Sequence, residues 1–201
     1  WIDAFITSSP SRVLKTIISL YKSKSLFVHI WVTFYETVVG FLLGTFLGTS
    51  IAIMLWWSPI ANKVLDPYLV VLNALPKIAL GPILIVWIGA TSGSIIAMGL
   101  LVSLVVTILT VLSGFMDISE EKQQLMRTLG ATKMQIFTMV VLPASIPTVM
   151  AALKISVGMS WVGVIVGEYL VSKAGLGYLI VYGGQVFQLD MAGVGAANVS
   201  R

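Results

Sequence analysis

Few side chains in this sequence are suited to catalysis. Among 201 residues there is one histidine and no cysteine, which leaves no thiol nucleophile, no disulfide framework and no Cys/His metal cluster. Serine catalysis needs a base beside the nucleophile, yet His29 precedes the first long apolar run, and no aspartate pair lies inside such a run. What remains are polar groups set in or beside apolar stretches: Pro76 next to Lys77, Ser160 and Trp161, Glu168 two turns later, and Glu36. A charge at mid-bilayer costs up to about 2.5–3.5 kcal/mol, and groups kept there usually face a cavity or a partner. Pro76, Ser160, Trp161 and Glu168, and more weakly Glu36, are therefore the candidate functional positions, expected to line a cavity or meet a partner, with no catalytic residues and no metal. For both glutamates the competing reading is a carboxylate near a span end that reaches interfacial water.

The elements that must position these groups are membrane helices. Hydrophobic residues make up 58% of the chain, mean hydropathy is +1.00, and only 10% of residues are charged, against roughly 25% in soluble domains. From Ile78 to Met116 there is no charged residue, enough for two bilayer crossings with a turn at "GATSGS", Gly89 to Ser94. The net charge of +4 fits the lysine and arginine bias of membrane proteins, so no nucleic-acid partner is inferred.

Four spans are expected, at about residues 31–57, 68–88, 95–115 and 146–170. The first carries Gly40, Gly44, Gly48 and Ala52, a small residue at every fourth position and so on one helix face. Such a face admits close helix packing, with the partner either in the same chain or in a second copy. The second holds "NALPKIALGP", so it should be kinked or broken near Pro76, either as a pathway wall or as an ordinary proline kink. Residues 1–30 read as an interfacial lead-in, amphipathic around Arg12, Lys15, Lys22 and Lys24, or as a solvated approach to the first span. Residues 191–201 read as a truncated tail. Lysine and arginine counts of five on one side and six on the other leave the orientation undecided.

Between the third and fourth spans lies a polar segment, residues 117–143. Asp117 and Glu120 have the spacing of a capping box, Gly130 stands where a helix would end in a left-handed residue, and Pro143 and Pro147 should mark the turn into the next span. Two short helices at an angle would form a knuckle able to pass movement between a soluble partner and the spans, or else a helical loop lying flat on lipid. Within it, Gly130 followed after nine residues by "VVLP", Val140 to Pro143, resembles the signature loop of the membrane subunits of bacterial ATP-binding-cassette importers. That family's glutamate and two alanines are replaced by Gln124, Leu125 and Met126. The order of "NALPKIALGPILIVWIG", "RTLGATKMQIFTMVVLP", "LKISVGMSWVGVIVGE" and "AGLGYLIVYG" is similar to the nitrate, sulfonate and taurine branch, over about residues 31–190.

The resemblance implies an all-α polytopic transmembrane helical bundle, the type I importer permease fold, in a bacterial inner membrane. Against the family's usual six spans, the first and last would be lacking here. It also implies a permease that is not an enzyme and binds no cofactor directly, with ATP used by a partner ATPase subunit. Consistent with this, no glycine in the chain is followed by lysine, so no phosphate-cradling GxxxxGK[ST] loop exists. Gln124, Leu125, Met126, Arg127, Gly130, Ala131, Thr132 and Pro143 would form the ATPase-coupling site, facing the cytoplasm. An extracytoplasmic solute-binding protein touching "KAGLGYLI" at Lys173 to Ile180, a second permease copy and the lipid bilayer complete the implied partners. The solute would be a small organic anion such as a sulfonate, taurine or nitrate, or a vitamin precursor, with its path along the candidate positions above. The alternative class is a secondary transporter or channel subunit, which would need no knuckle.

Overall fold

The computed structural model describes residues 10–22 and 24–185, so the 191–201 tail and the first part of the lead-in lie outside the described residues. Every regular element among the described residues is a helix. Helix α1 (Pro10–Lys22) docks Ile17 and Leu20 on Leu26 of α2 (Ser25–Trp57). Helices α3 (Pro59–Ala74) and α4 (Gly81–Ile88) follow, separated by a short 3₁₀ turn, then α5 (Ser92–Met116) and α6 (Glu120–Thr128). Helix α7 (Lys133–Ile136) runs through a π turn (Phe137–Val141) into α8 (Leu142–Val171), and α9 (Leu176–Gln185) closes the described chain.

Among the described residues three helices are long and apolar enough to cross a membrane: Ser25–Trp57, Ser92–Met116 and the continuous Lys133–Val171. The pair α3 and α4 counts as a fourth only as a broken span bent by 87°. The break falls at Leu75 and Pro76, where the backbone turns extended and the ring removes a donor. At 1.5 Å per residue, the 39 residues from Lys133 to Val171 reach about 58 Å, nearly twice the hydrocarbon thickness, so one end must stand clear of the bilayer.

Helix α5 lies between α2 and α8, and small residues set the spacing on both sides. The stripe on α2 meets α5 of its own chain: a Cβ on Gly48 would come within 2.8 Å of Thr107, and one on Gly44 would collide with the Ser103 hydroxyl. Gly40 is the third contact, 3.1 Å from Ser160 on α8 for such an atom. Across the other interface Gly163 fits against the Gly99 backbone. Several hydroxyls in this seam are paired: Thr107 and Ser156 share a 2.6 Å bond, and Ser160 donates to the Thr37 carbonyl at 3.3 Å, while the Thr37 hydroxyl itself has no partner. Lipid is as apolar as leucine, so close packing and such bonds, each about 0.6 kcal/mol, hold the helices together.

Several boundaries differ from those read in the sequence. Helix α2 begins at Ser25, six residues earlier than expected, because Leu26, Phe27 and Val28 extend its apolar run past Lys24, which is left-handed at φ 58°. Pro143 and Pro147 make no turn. The π turn shifts the hydrogen-bond ladder immediately before Pro143, so the missing donor is absorbed and the helix continues.

Filling the α2 stripe should therefore be costly. Gly44→Val is expected to lose about 1–3 kcal/mol of stability by overpacking, seen as a lower Tm in detergent. Gly158→Ala, where an added Cβ meets nothing, should leave Tm equal or slightly raised.

Candidate functional site

At one end of the bundle stands the knuckle. Helix α6 is capped by Ser119, whose hydroxyl accepts from the Lys122 amide at 3.4 Å, and not by the Asp117–Glu120 box expected from spacing. Glu120 and Glu121 still occupy its first turn, where the helix dipole favours anions. The chain then reverses at Gly130, at φ +80° with open space around its α-carbon. Ala131 amide donates back to Met126 carbonyl at 3.0 Å, closing the end of α6. A capping box does exist, one element later: Thr132 accepts from the Gln135 amide at 3.4 Å, and the Gln135 side chain accepts from the Thr132 amide at 2.8 Å.

The two faces of the knuckle differ. Met126 and Ala131 pack on the bundle core, whereas Leu125 and Leu129 are 61% and 74% exposed and Met134 is exposed beside them. Gln124 and Arg127 line a cavity of about 310 Å³ behind α6, together with Trp56, Phe115 and Lys133. Pro143 lies outside this group, as the second residue of α8.

At the opposite end, Glu168 is held by three elements. Its carboxylate accepts from the Thr33 hydroxyl of α2 at 2.6 Å and from the Gly177 amide at 2.6 Å, while Thr33 in turn accepts from the Leu176 amide at 2.9 Å. Glu168 and Thr33 together thus satisfy the first orphan amides of α9. Gly175, at φ +118°, passes so close that any Cβ would fall on the carboxylate, and its amide donates to His29 Nδ1 at 3.0 Å. The His29 ring stacks on Tyr178 at 5.9 Å. Glu36 lies one turn along α2, and both glutamates are 1% exposed. Glu36 lacks well-aligned donors like those on Glu168, and its polar neighbours are Ser92 and Glu168 itself.

The structure thus separates the residues proposed for a path. Ser160 and Glu168 share one buried face of α8, and Trp161 is half-buried with its Nε1 unpaired. Pro76 is elsewhere, at the exposed break between α3 and α4, where Leu69 and Gly81 are the buried residues of the two helices. Sequence reasoning missed Thr33, Gly175 and Gly177 as partners of Glu168. "SKAGLG", Ser172 to Gly177, was the available signal for that turn.

The described residues thus form a multi-pass helical bundle with a bent, capped segment at one end. The family described as binding-protein-dependent transport system inner membrane component matches residues 40–199. The chain belongs to that family and is an ABC importer permease. It is 29% identical over 189 residues to a putative aliphatic sulfonates transport permease protein of Bacillus subtilis (strain 168), covering 94% of this chain and 68% of that one. It is also 29% identical over 174 residues to a formylaminopyrimidine transport permease protein of Halalkalibacterium halodurans, covering 87% and 69%. Among solved structures, the MetNI methionine ABC transporter in an inward-facing conformation superposes with a TM-score of 0.76 at 20% identity, covering 89% of each chain. That likeness shows the shared fold.

Removing the carboxylate of Glu168 strands the Thr33 hydroxyl and the Gly177 amide, each at about 1–3 kcal/mol. Glu168→Ala should open the α8–α9 turn, read as faster tryptic cleavage after exposed Lys173. Glu36→Gln breaks no bond and should leave the cleavage rate unchanged.

Proposed function

We propose that the chain forms the membrane path of an importer for a small organic anion and is driven, through residues 117–143, by a separate ATPase subunit in the cytoplasm of a bacterial cell. The observation that carries this reading is the knuckle's divided surface. One face is packed on the bundle, and the other leaves Leu125, Leu129 and Met134 in the open on a segment whose geometry is fixed by caps at both helices. A surface loop with no partner would not keep two leucines one turn apart and both more than half exposed. In this reading Gly130 and Thr132, at the bend beside the patch, and Gln124 and Arg127, on the cavity behind α6, complete the docking site while Ala131 anchors the bend on the core, and ATP is bound by the partner alone.

The exposed break at Pro76 supports a second subunit. Irregular backbone at membrane depth persists where protein or a wet cavity covers it, and α3 and α4 carry Tyr68, Val71, Leu75, Val86 and Trp87 exposed around the break. A second permease copy facing this surface would enclose a path with Pro76 in its wall. Ser160 and Glu168, buried within one chain, act in this reading by holding the wall helices in place. The relatives that carry sulfonates and formylaminopyrimidine in their names make a sulfonate or a vitamin precursor the first solutes to try, delivered by an extracytoplasmic binding protein.

The test is uptake into proteoliposomes holding the chain and the ATPase encoded with it, with an alkanesulfonate and its binding protein outside. ATP inside should drive accumulation, and uptake equal without ATP or without the ATPase would overturn the reading in favour of a gradient-driven carrier. Gly130→Asp introduces no internal clash, and aspartate tolerates the left-handed region. It should insert normally and abolish uptake.

A further inference from the structure

We infer that Phe137, assisted by Lys133, is the positioning residue through which the knuckle moves α2 and α5. This rests on the coupling role proposed for residues 117–143 and assigns the route by which that role is executed.

Helix α6 has little packing through which to hand on movement. None of its residues is fully buried, Met126 is its one apolar side chain packed on the core, and a cavity of about 310 Å³ opens beside it, lined by Trp56 and Phe115. The element behind Gly130 is different, for Ile136, Phe137 and Val141 are all buried. The Phe137 ring meets Trp56 at 5.0 Å and Trp57 at 6.1 Å, the last two residues of α2, and Phe115 at 5.6 Å, the penultimate residue of α5. One side chain therefore touches the terminal aromatics of both neighbouring helices. One turn earlier, Lys133 Nζ donates to the Trp57 carbonyl at 2.5 Å and stands over both indoles at 5.5 and 5.6 Å. A cation at the carbonyl end of α2 also complements the helix dipole.

Phe137 is also the first residue of the π turn. A π turn interrupts the regular i to i−4 ladder and is a recognised site of bending in long helices. The clasp thus sits on the knuckle side of the one irregular point in the 39-residue helix. Displacement of α7 must carry the ends of α2 and α5 with it, because the rings interlock, and the π turn is the point at which α7 can bend against α8. The ring's shape is what couples the parts, and docking of the ATPase, which uses the opposite face of the knuckle, does not require it.

The experiment compares wild type, Phe137→Leu, Phe137→Tyr, Lys133→Met and the core control Val164→Ala, each in proteoliposomes with the ATPase. Three quantities are read: ATPase co-purified per permease, ATP hydrolysed, and solute imported per ATP. Phe137→Leu fills the buried site without a ring and is expected to lower solute per ATP about tenfold, within the usual span of coupling between distant sites. Co-purification and hydrolysis should persist, Phe137→Tyr should restore most of the ratio, and Lys133→Met should lose less than Phe137→Leu. Val164 is fully buried at the other end of α8, and its truncation should lower Tm while leaving solute per ATP unchanged. A wild-type ratio in Phe137→Leu, an equal loss in Val164→Ala, or loss of ATPase binding would each overturn the clasp. Failure of the coupling reading shows separately, as full transport by the Gly130→Asp variant.

Discussion

The structure depends on one helix that does not end. From the Thr132 cap to Val171 the backbone ladder is unbroken apart from a π turn, so the polar knuckle and the buried carboxylate of Glu168 are two ends of the same element. A helix interrupted in lipid would leave amides and carbonyls without water or partners. Continuity is therefore what bilayer physics favours, and two prolines near its start are tolerated because the ladder changes register just ahead of the first. Everything at the knuckle end is consequently connected, through about 58 Å of helix, to the turn that holds α9.

Around that helix, polarity is divided by task. The seam between α2, α5 and α8 is lined by glycines and paired hydroxyls, which allow backbones to approach and leave no donor unmet at Thr107, Ser156 or Ser160. The outward face of α3 and α4 has the reverse character, large apolar side chains beside a broken backbone. Packing the seam within one chain leaves that second face uncovered, where the proposed second copy would sit. Glu168 belongs to the first region: both its oxygens are engaged, and it completes the start of α9. Glu36 beside it has no such partner, so two acidic residues one helix apart differ entirely in what they hold.

Much of this was legible in the sequence because it is local. Apolar runs placed the long helices, a small residue at every fourth position gave the face of α2, and Gly130 was recognisable as a left-handed stop, which its φ of +80° matches. Pro76 marked the break in the second span for the same reason. The partner of the glycine stripe was not readable, since only the fold sets Gly48 against Thr107. Nor was the Thr33 to Glu168 bond, whose residues are 135 positions apart. Capping was misplaced where two candidates stood close together: Asp117 has the spacing, but Ser119 has the geometry. Prolines at 143 and 147 read as a turn because a π turn carries no residue signature of its own.

The central claim is that the exposed face of the knuckle meets a soluble motor on the cytoplasmic side. These 201 residues contain no cysteine, so one introduced in place of Leu129 is the only thiol among them. With a membrane-impermeant maleimide on sealed vesicles of known orientation, the account predicts labelling from the cytoplasmic side alone, protection when the ATPase is bound, and a cross-link to the ATPase by a short thiol-to-amine reagent. Labelling from the outer side, or labelling that the ATPase leaves unchanged with no cross-link formed, would contradict it.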